Sequence, residues 1–497
     1  MFHDPIPVEP TIQHLLDTIV AYYPEADLDL VKRAYELAAK SHQNQKRLTG
    51  EDFIFHPLRV GLFLAQKQLD IPTIVAGLLH DSLEDTAITL NDIEKLFGHE
   101  IAVLVQGVTE LDKLKYRGLD RYVENLRKMF VAVANDVRII LIKFADRLHN
   151  LETLHGHPKH KQERIAKETL EIYAPIASRL SMGEMKGLLE DLAFPYALPK
   201  EYAKTKKIIG EEYPKKEQLV KELEVIIKRE LDRAGLKYKS IHGRAKHIYS
   251  LYQKLETKDW DISEVHDLMA LRIVVENIGD CYTTLGILHQ RFKPLKGRIK
   301  DYIANPKPNG YQSLHTTVFT LKGEMTELQI RTPAMHAKAE WGVAAHWHYD
   351  EYGHAIPGKR YQWVQEINKK LISLKDNTQF LESLKLDIFQ NRIFVFTPKG
   401  EVIDLPESST PVDFAYHIHT DIGNRCAGAL VNNEIASLDT PLQNGDVVKI
   451  IIDKNKKGPN PDWLKFVKTN TARSRIRGLT KKSIFRWMKN VIPKKGA

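Results

Sequence analysis

The chain has 497 residues, with 73 Lys+Arg against 64 Asp+Glu for a net charge of +9, two cysteines and 43% hydrophobic residues. At roughly 100–200 residues per domain, this length gives about three domains, each able to bury a core. Two distant cysteines, Cys281 and Cys426, an opening MFHDPIPVEP without a signal-peptide pattern, and no uncharged apolar run near the ~20 residues that span a bilayer together exclude secreted, membrane-spanning, collagenous and disordered classes, and point to a reducing, cytoplasmic setting.

Residues 1–200 read as helical. Apolar residues recur at helical spacing in LVKRAYELAAKSH, IVAGLLHDSLED and VRIILIKFADRLHNL, and Pro195 and Pro199 punctuate the end of the block. Within it, TIVAGLLHDSLEDT puts His80, Asp81, Glu84 and Asp85 directly after an apolar stretch. The i,i+4 spacing of His80 with Glu84, and of Asp81 with Asp85, predicts that the four line adjoining faces of one helix. Ionisable groups ending so apolar a helix are costly unless paired or metal-bound. His56 lies upstream in FIFHPLRV, and Asp146 and Asn150 lie i,i+4 in IKFADRLHN. Two imidazoles and two carboxylates suit a divalent transition ion, Mn²⁺ among them, which lowers the pKa of a bound water; Glu84 and Asp85 are placed to orient or deprotonate it. The dipeptide His-Asp alone is commonplace, and the reading rests on the three segments together.

Residues 201–350 open with a Lys- and Glu-rich helical connection over 201–236. The texture then changes: LRIVV, TTVFTL and TELQIR read as strands, HIYSLYQKLE and TPAMHAKAEWGVAAHW as helices, giving an α/β domain. GRAKHIYSLYQKLE places Arg244 and Lys246, then Lys254 two turns later, on a helix-prone stretch suited to a polyphosphate tail. Asp267 precedes a strand that carries Arg272. Alternation in TELQIRT sends Glu327, Gln329 and Arg331 to one face, so Asp267 and Glu327 are candidates to hold Mg²⁺ against triphosphate oxygens. Between them, FKPLKGRIKDYIANPKPNGYQSLHTT reads as a phosphate-gripping loop followed by a base-stacking Tyr311.

Residues 351–385 read as a helical linker. Residues 386–452 read as a small β-rich module, with RIFVFT, EVIDL and DVVKIII separated by PKG and QNGD turns. Residues 453–497 read as a basic tail: 14 Lys/Arg against two Asp leave the rest of the chain at −3. Such a segment is either a solvated extension or a contact for RNA phosphates or another anionic surface.

The ordered set HDxxED, ADRLHN, GRxKxxYSxxxK, GRIKDYIAxPKxNGYQSLHTT, ExQIRT and AExGVAAHW closely resembles the bifunctional Rel/SpoT family, over about residues 25–470. That family makes and hydrolyses guanosine tetra- and pentaphosphate, (p)ppGpp, in the stringent response. The resemblance implies an all-α HD-type hydrolase domain, an α/β synthetase domain of nucleotidyltransferase-like fold and a ubiquitin-like β-grasp TGS domain. It implies Mn²⁺ ligands at His56, His80, Asp81 and Asp146, a water-activating pair Glu84 and Asp85, and substrate contacts at Arg47 and Asn150. In the synthetase it implies ATP contacts at Arg244, Lys246 and Lys254, a further substrate contact at Arg272, Mg²⁺ ligands Asp267 and Glu327, and an acceptor-nucleotide site of Lys307, Asn309, Tyr311 and His336. Arg298-Ile-Lys300-Asp301 has the basic form of the family's bifunctional members. HQNQKRLTGEDF and LHGHPKH depart from the usual pattern near Arg47 and after the ADRLHN helix. The family's helical, zinc-finger-like and ACT regulatory regions are missing from these 497 residues, which leaves the nucleotides themselves as the expected regulators.

The expected activities are pyrophosphate transfer from ATP to the 3′-hydroxyl of GDP or GTP, and removal of that pyrophosphate. One alternative is a hydrolase whose synthetase half only binds regulatory nucleotide. Another is a tRNA- or ribosome-binding protein acting through TGS and the basic tail.

Overall fold

The computed structural model describes residues 10–112, 135–262, 265, 268–307, 310–320, 323–342, 392–399, 401–443, 445–456, 458–469 and 471–479. The chain divides into two compact units, Met1–Lys375 and Asp376–Ala497. Asp267, Asn309, the linker over 351–385 and the tail over 480–497 lie outside the described residues.

The first unit begins with helices α1 (Ile12–Tyr22), α2 (Leu28–Ser41), α3 (Phe55–Gln66), α4 (Ile71–Leu79), α5 (Ser82–Asp85), α6 (Leu90–Phe97) and α7 (His99–Asp112). Helices α8 (Arg138–Glu152), α9 (Lys159–Glu168), α10 (Ala174–Arg179) and α11 (Gly183–Ala197) follow. Every residue of α4 is buried except Pro72 in its first turn, the signature of a central helix rather than an amphipathic surface one. Two glycines let α3 and α4 approach closely. A Cβ on Gly77 would sit 2.5 Å from Leu64 Cδ1, and one on Gly61 would sit 3.0 Å from Leu78 Cδ2. This contact sets His56 on α3 opposite His80 at the end of α4.

The expected single helix through HDSLED is broken. Helix α4 ends at Leu79, His80 and Asp81 form the junction, and α5 is a separate short turn. His80 is buried and Asp81 half-buried at this junction, while Glu84 and Asp85 are exposed.

Helix α12 (Pro199–Arg233) opens with Pro199, whose missing N–H costs nothing in a first turn, and leads into the α/β domain. Its sheet has the order β1-β2-β5-β4-β3, with β1 (Tyr238–Ala245), β2 (Met269–Val275), β3 (Pro294–Asp301), β4 (Leu314–Phe319) and β5 (Met325–Arg331). Only β2 and β5 pair in parallel. Helices α13 (Ile248–Glu256), α14 (Ile278–Arg291) and α15 (Pro333–Trp341) complete the domain. Its core joins Leu223, Ile227 and Leu231 of α12 to Leu271, Ile273, Leu328 and Ile330 of the central strands. Two local expectations are corrected. Arg244 lies on β1 and Lys246 just beyond it, so only Lys254 is helical. The segment around Arg298 and Lys300 is an edge strand rather than a loop.

The second unit has β6 (Arg392–Phe396) paired with β7 (Val402–Pro406), and β8 (Cys426–Val431) between β9 (Glu434–Ala436) and β10 (Val448–Ile452). A parallel bridge, Phe396 to Val447, links the two sheets, and α16 (Pro411–Ile418) packs across them. The first part of the segment read as a tail belongs to this core: Trp463, Val467, Ala472 and Ile476 are buried against Val412, Tyr416 and Cys426. Asp413 accepts backbone N–H bonds from Lys468 (2.9 Å) and Thr469 (2.7 Å).

Candidate active site

In the helical domain, His80 Nδ1–H donates to Gly77 O (2.8 Å), which turns Nε2 toward the other members of the cluster. That nitrogen lies 3.2 Å from His56 Nε2, 3.2 Å from Asp81 Oδ1 and 3.8 Å from Asp146 Oδ1. His56 Nε2 is in turn 3.3 Å from Asp81 Oδ2 and 3.2 Å from Asp146 Oδ1. Ligands at right angles around a cation with bonds of about 2.1 Å stand about 3 Å apart, the scale of the spacings among these donor atoms. His56, His80 and Asp146 form a buried group that could hold a metal ion, with donor atoms all within 4.8 Å of one another. Burial alone would make the His80 ring harder to protonate, but Asp81 and Asp146 bring it up to about 9. Asp146 lies well below the usual carboxylate range: burial opposes this, and Lys143, His56 and His80 outweigh it.

Around this cluster, Arg47 donates to Asn150 Oδ1 (2.8 Å) and Asn150 Nδ2 donates to Asp146 Oδ1 (2.5 Å), so the two expected substrate contacts line one wall. Glu84 and Asp85 stand on the exposed turn beyond Asp81; burial and Asp81 raise the Asp85 carboxyl. Two residues escaped the sequence reading. His149 stacks on His56 at 4.9 Å between ring centres, with their Nδ1 atoms 2.7 Å apart, and Lys143 meets Asp146 Oδ2 at 2.6 Å. Both lie three residues from Asp146 on one helix, so i,i+3 spacing was the available signal.

In the α/β domain, Glu327 Oε1 is 3.0 Å from His315 Nδ1, and His315 Nε2 is 2.8 Å from the Tyr311 hydroxyl. Lys307 Nζ lies 5.0 Å from the Tyr311 ring centre and 4.7 Å from that of Tyr302. Burial first, then Lys300, lowers the Lys307 pKa. The structure thus gathers Lys307, Tyr311 and Glu327, with His315 and Tyr302 as unforeseen members. Arg272 sits in a second group, beside Arg331 and near Arg244, and burial holds its guanidinium down to about 10. His336 lies 6.0 Å from His242 between ring centres, and burial takes it down to about 4. Arg298, Lys300 and Lys254 are exposed.

Three family models match the chain: an HD domain over residues 34–183, a region found in RelA / SpoT proteins over 243–354, and a TGS domain over 393–452. The guanosine-3′,5′-bis(diphosphate) 3′-pyrophosphohydrolase of Aquifex aeolicus is 44% identical over 475 residues, covering 95% of this chain and 68% of that protein. The chain belongs to the RelA/SpoT family. Other RelA/SpoT relatives include a GTP pyrophosphokinase of Myxococcus xanthus, 45% identical over 93% of this chain and 62% of its own length. The bifunctional (p)ppGpp synthase/hydrolase SpoT of Escherichia coli K12 is 42% identical over 94% of this chain and 67% of its own. The chain therefore spans 62–68% of the length of these three relatives. Among the described residues no helix is long and apolar enough to cross a membrane.

Proposed function

We propose that this chain carries both alarmone activities: synthesis of (p)ppGpp from ATP and GDP or GTP, and hydrolysis of (p)ppGpp to GDP or GTP and pyrophosphate. The observation that carries the reading is the presence of two chemically distinct constellations in separate domains. One is a buried His/Asp cluster, the other a Tyr311–His315–Glu327 chain beside a group of arginines.

In the hydrolase site His56, His80, Asp81 and Asp146 would hold Mn²⁺, which supplies Lewis acidity and lowers the pKa of a water. Arg47 and Asn150 would bind the substrate, and Glu84 and Asp85, on the exposed turn, would orient the attacking water and take its proton. In the synthetase site Glu327, with Asp267, would hold Mg²⁺ beside the triphosphate. Arg244, Lys246, Lys254 and Arg272 would bind the ATP side. Lys307, Asn309, Tyr311 and His336, with Arg298 and Lys300 at the rim, would receive the guanine nucleotide. The nucleotide 3′-oxygen then attacks the β-phosphorus of ATP, AMP leaves, and the hydroxyl proton passes to Glu327. Positioning and charge neutralisation carry most of that catalysis.

The protein would act in the cytoplasm. Its TGS module and the arginines of the helix over 471–479, Arg473, Arg475 and Arg477, are suited to contact tRNA or the ribosome.

Incubating the purified chain with labelled ATP and GDP, and separately with (p)ppGpp and Mn²⁺, tests the reading. Alarmone formation in the first and pyrophosphate release in the second are expected. Release without formation would reduce the α/β domain to a regulatory nucleotide site, and neither product would overturn the reading.

A further inference from the structure

At the junction of the helical and α/β domains, Glu184, Arg331 and Glu340, which have no role in the chemistry above, adjoin Arg272 and Arg244. Arg272 on β2 and Arg331 on β5 stand on adjacent parallel strands, 5% and 1% exposed. Arg331 disfavours the charge of Arg272, and Arg244 adds a third positive charge that disfavours both. The carboxylate that meets both is Glu340 of α15, whose Oε1 lies 2.9 Å from Arg272 Nη2 and 3.6 Å from Arg331 Nη2. Glu340 is hydrogen-bonded to Glu184 of α11, and the two are 8% and 4% exposed.

Two buried carboxyls bond to each other only if one keeps its proton. Burial and the neighbouring Glu340 push Glu184 up to about 8. Burial would raise Glu340 too, but Arg272, the Glu184 bond and Arg331 bring it down to about 2. With Arg272 and Arg331 both against its Oε1, Glu340 is the anion, which leaves Glu184 to carry the shared proton.

The backbone fixes this arrangement on both sides. A Cβ on Gly183 would stand 3.3 Å from Ala339 O. Gly342, which ends α15 at φ +54°, presses so close to the helical domain that a Cβ would lie 2.1 Å from Leu180 O. Trp341 next door lies under Lys67 Nζ of the helical domain, 3.8 Å from its ring centre.

We propose that Glu340 is a positioning residue of the synthetase site and Glu184 its proton-sharing partner, the two setting Arg272 and Arg331 where a nucleoside triphosphate meets them. Without an anion between them the two guanidiniums would separate or turn away. With Glu340 in place they are preorganised, and with Arg244 they still exceed it in charge, so the site attracts a polyanion. The inference rests on the synthetase reading, and it adds that a side chain of the helical domain contributes to the triphosphate side of that site.

The test uses the full chain and four variants: Glu340→Gln, Glu340→Asp, Glu184→Gln and Glu184→Leu. Calorimetric titration with a non-hydrolysable ATP analogue and with GDP is set beside steady-state synthesis and hydrolysis. Glu340→Gln should weaken the analogue by about tenfold or more, the scale of a lost buried charge contact, and raise the KM for ATP more than it lowers kcat. GDP affinity and alarmone hydrolysis should stay within about twofold, since the contact is lost on one side of the site only. Glu340→Asp should recover part of the loss. Glu184→Gln keeps a donor and should bind the analogue within about twofold of wild type, while Glu184→Leu should not. Wild-type analogue affinity in Glu340→Gln, or equal losses for the analogue and GDP, would overturn the proposal. If Glu340→Gln does not fold, equal analogue affinity in Glu184→Gln and Glu184→Leu overturns it. A wild-type chain that binds the analogue but makes no alarmone would refute the synthesis reading and leave these binding tests standing.

Discussion

Asp146→Asn would separate the two jobs that the proposed reading gives one carboxylate. One oxygen faces the two imidazoles, 3.2 Å from His56 Nε2, and the other meets Lys143 Nζ at 2.6 Å, where both side chains of that pair are no more than 5% exposed. Removing one member of a buried ion pair costs about 3–5 kcal/mol, because the remaining charge loses its counterion while staying out of water. Asp146→Asn should therefore destabilise the helical domain by about that amount and also remove a metal ligand. Replacing Lys143 by Met as well takes away the stranded ammonium, and buried pairs exchanged for apolar groups are often close to neutral. The double variant should thus regain most of the lost stability, and neither variant should bind Mn²⁺ within about tenfold of wild type. Urea unfolding followed by circular dichroism gives the first quantity and calorimetric titration with MnCl₂ the second. A double variant no more stable than Asp146→Asn would refute the buried-pair account. Wild-type Mn²⁺ affinity in Asp146→Asn would refute its role as a ligand.

Tyr311→Ala should weaken GDP binding by about 5–150-fold, the worth of about 1–3 kcal/mol of base stacking, and leave ATP-analogue binding nearly unchanged; titration with each nucleotide checks it. Gly187→Ala would put a methyl 2.2 Å from the His247 ring, whose Nδ1 is held at 2.7 Å by Asp191, so about 1–3 kcal/mol of stability should be lost with Mn²⁺ affinity intact, read by calorimetric melting and metal titration. Glu184, ordinarily near 4.5 and held up to about 8, binds a proton in the folded chain that the unfolded chain releases. Its contribution is complete below about pH 4.5 and is lost as pH rises through about 8, so Glu184→Gln should flatten the decline in melting temperature across that window.

The elements with strong apolar periodicity were legible in the sequence, and those defined by their neighbours were not. Helices α2, α4 and α8 and strands β2, β4 and β5 carry their own patterns. Strand β3 does not, because an edge strand with most residues exposed has no apolar face to announce it, and its Lys296, Arg298 and Lys300 read as a phosphate loop. The break at His80–Asp81 was invisible for the opposite reason: i,i+4 spacing holds in sequence whether or not the helix continues. Among the residues named through family motifs, His56, His80 and Asp146 lie together in the helical domain and Lys307, Tyr311 and Glu327 in the α/β domain, while Asp267 and Asn309 lie outside the described residues. Of their supporting residues, Lys143 and His149 carried an i,i+3 signal from Asp146 on one helix, while His315, Glu184 and Glu340 come from packing across elements, which no spacing in one segment reveals. The charge of the last 45 residues hid Trp463 and Val467, apolar side chains too thinly spread to mark a folded segment.

That last feature bears on where the third module stops. Similarity to TGS domains ends at residue 452, with the final strand. Packing does not: the buried face of α16 is completed by residues past 460, and the carboxylate of Asp413, which caps that helix through Thr410, also ties down Lys468 and Thr469. A shared ancestry and a shared core are different boundaries, and here they are more than twenty residues apart, since Ile476 still lies in the core. The basic arginines between them are thus carried on a surface anchored to the module, held in fixed relation to its strands, rather than trailing from it on a free thread.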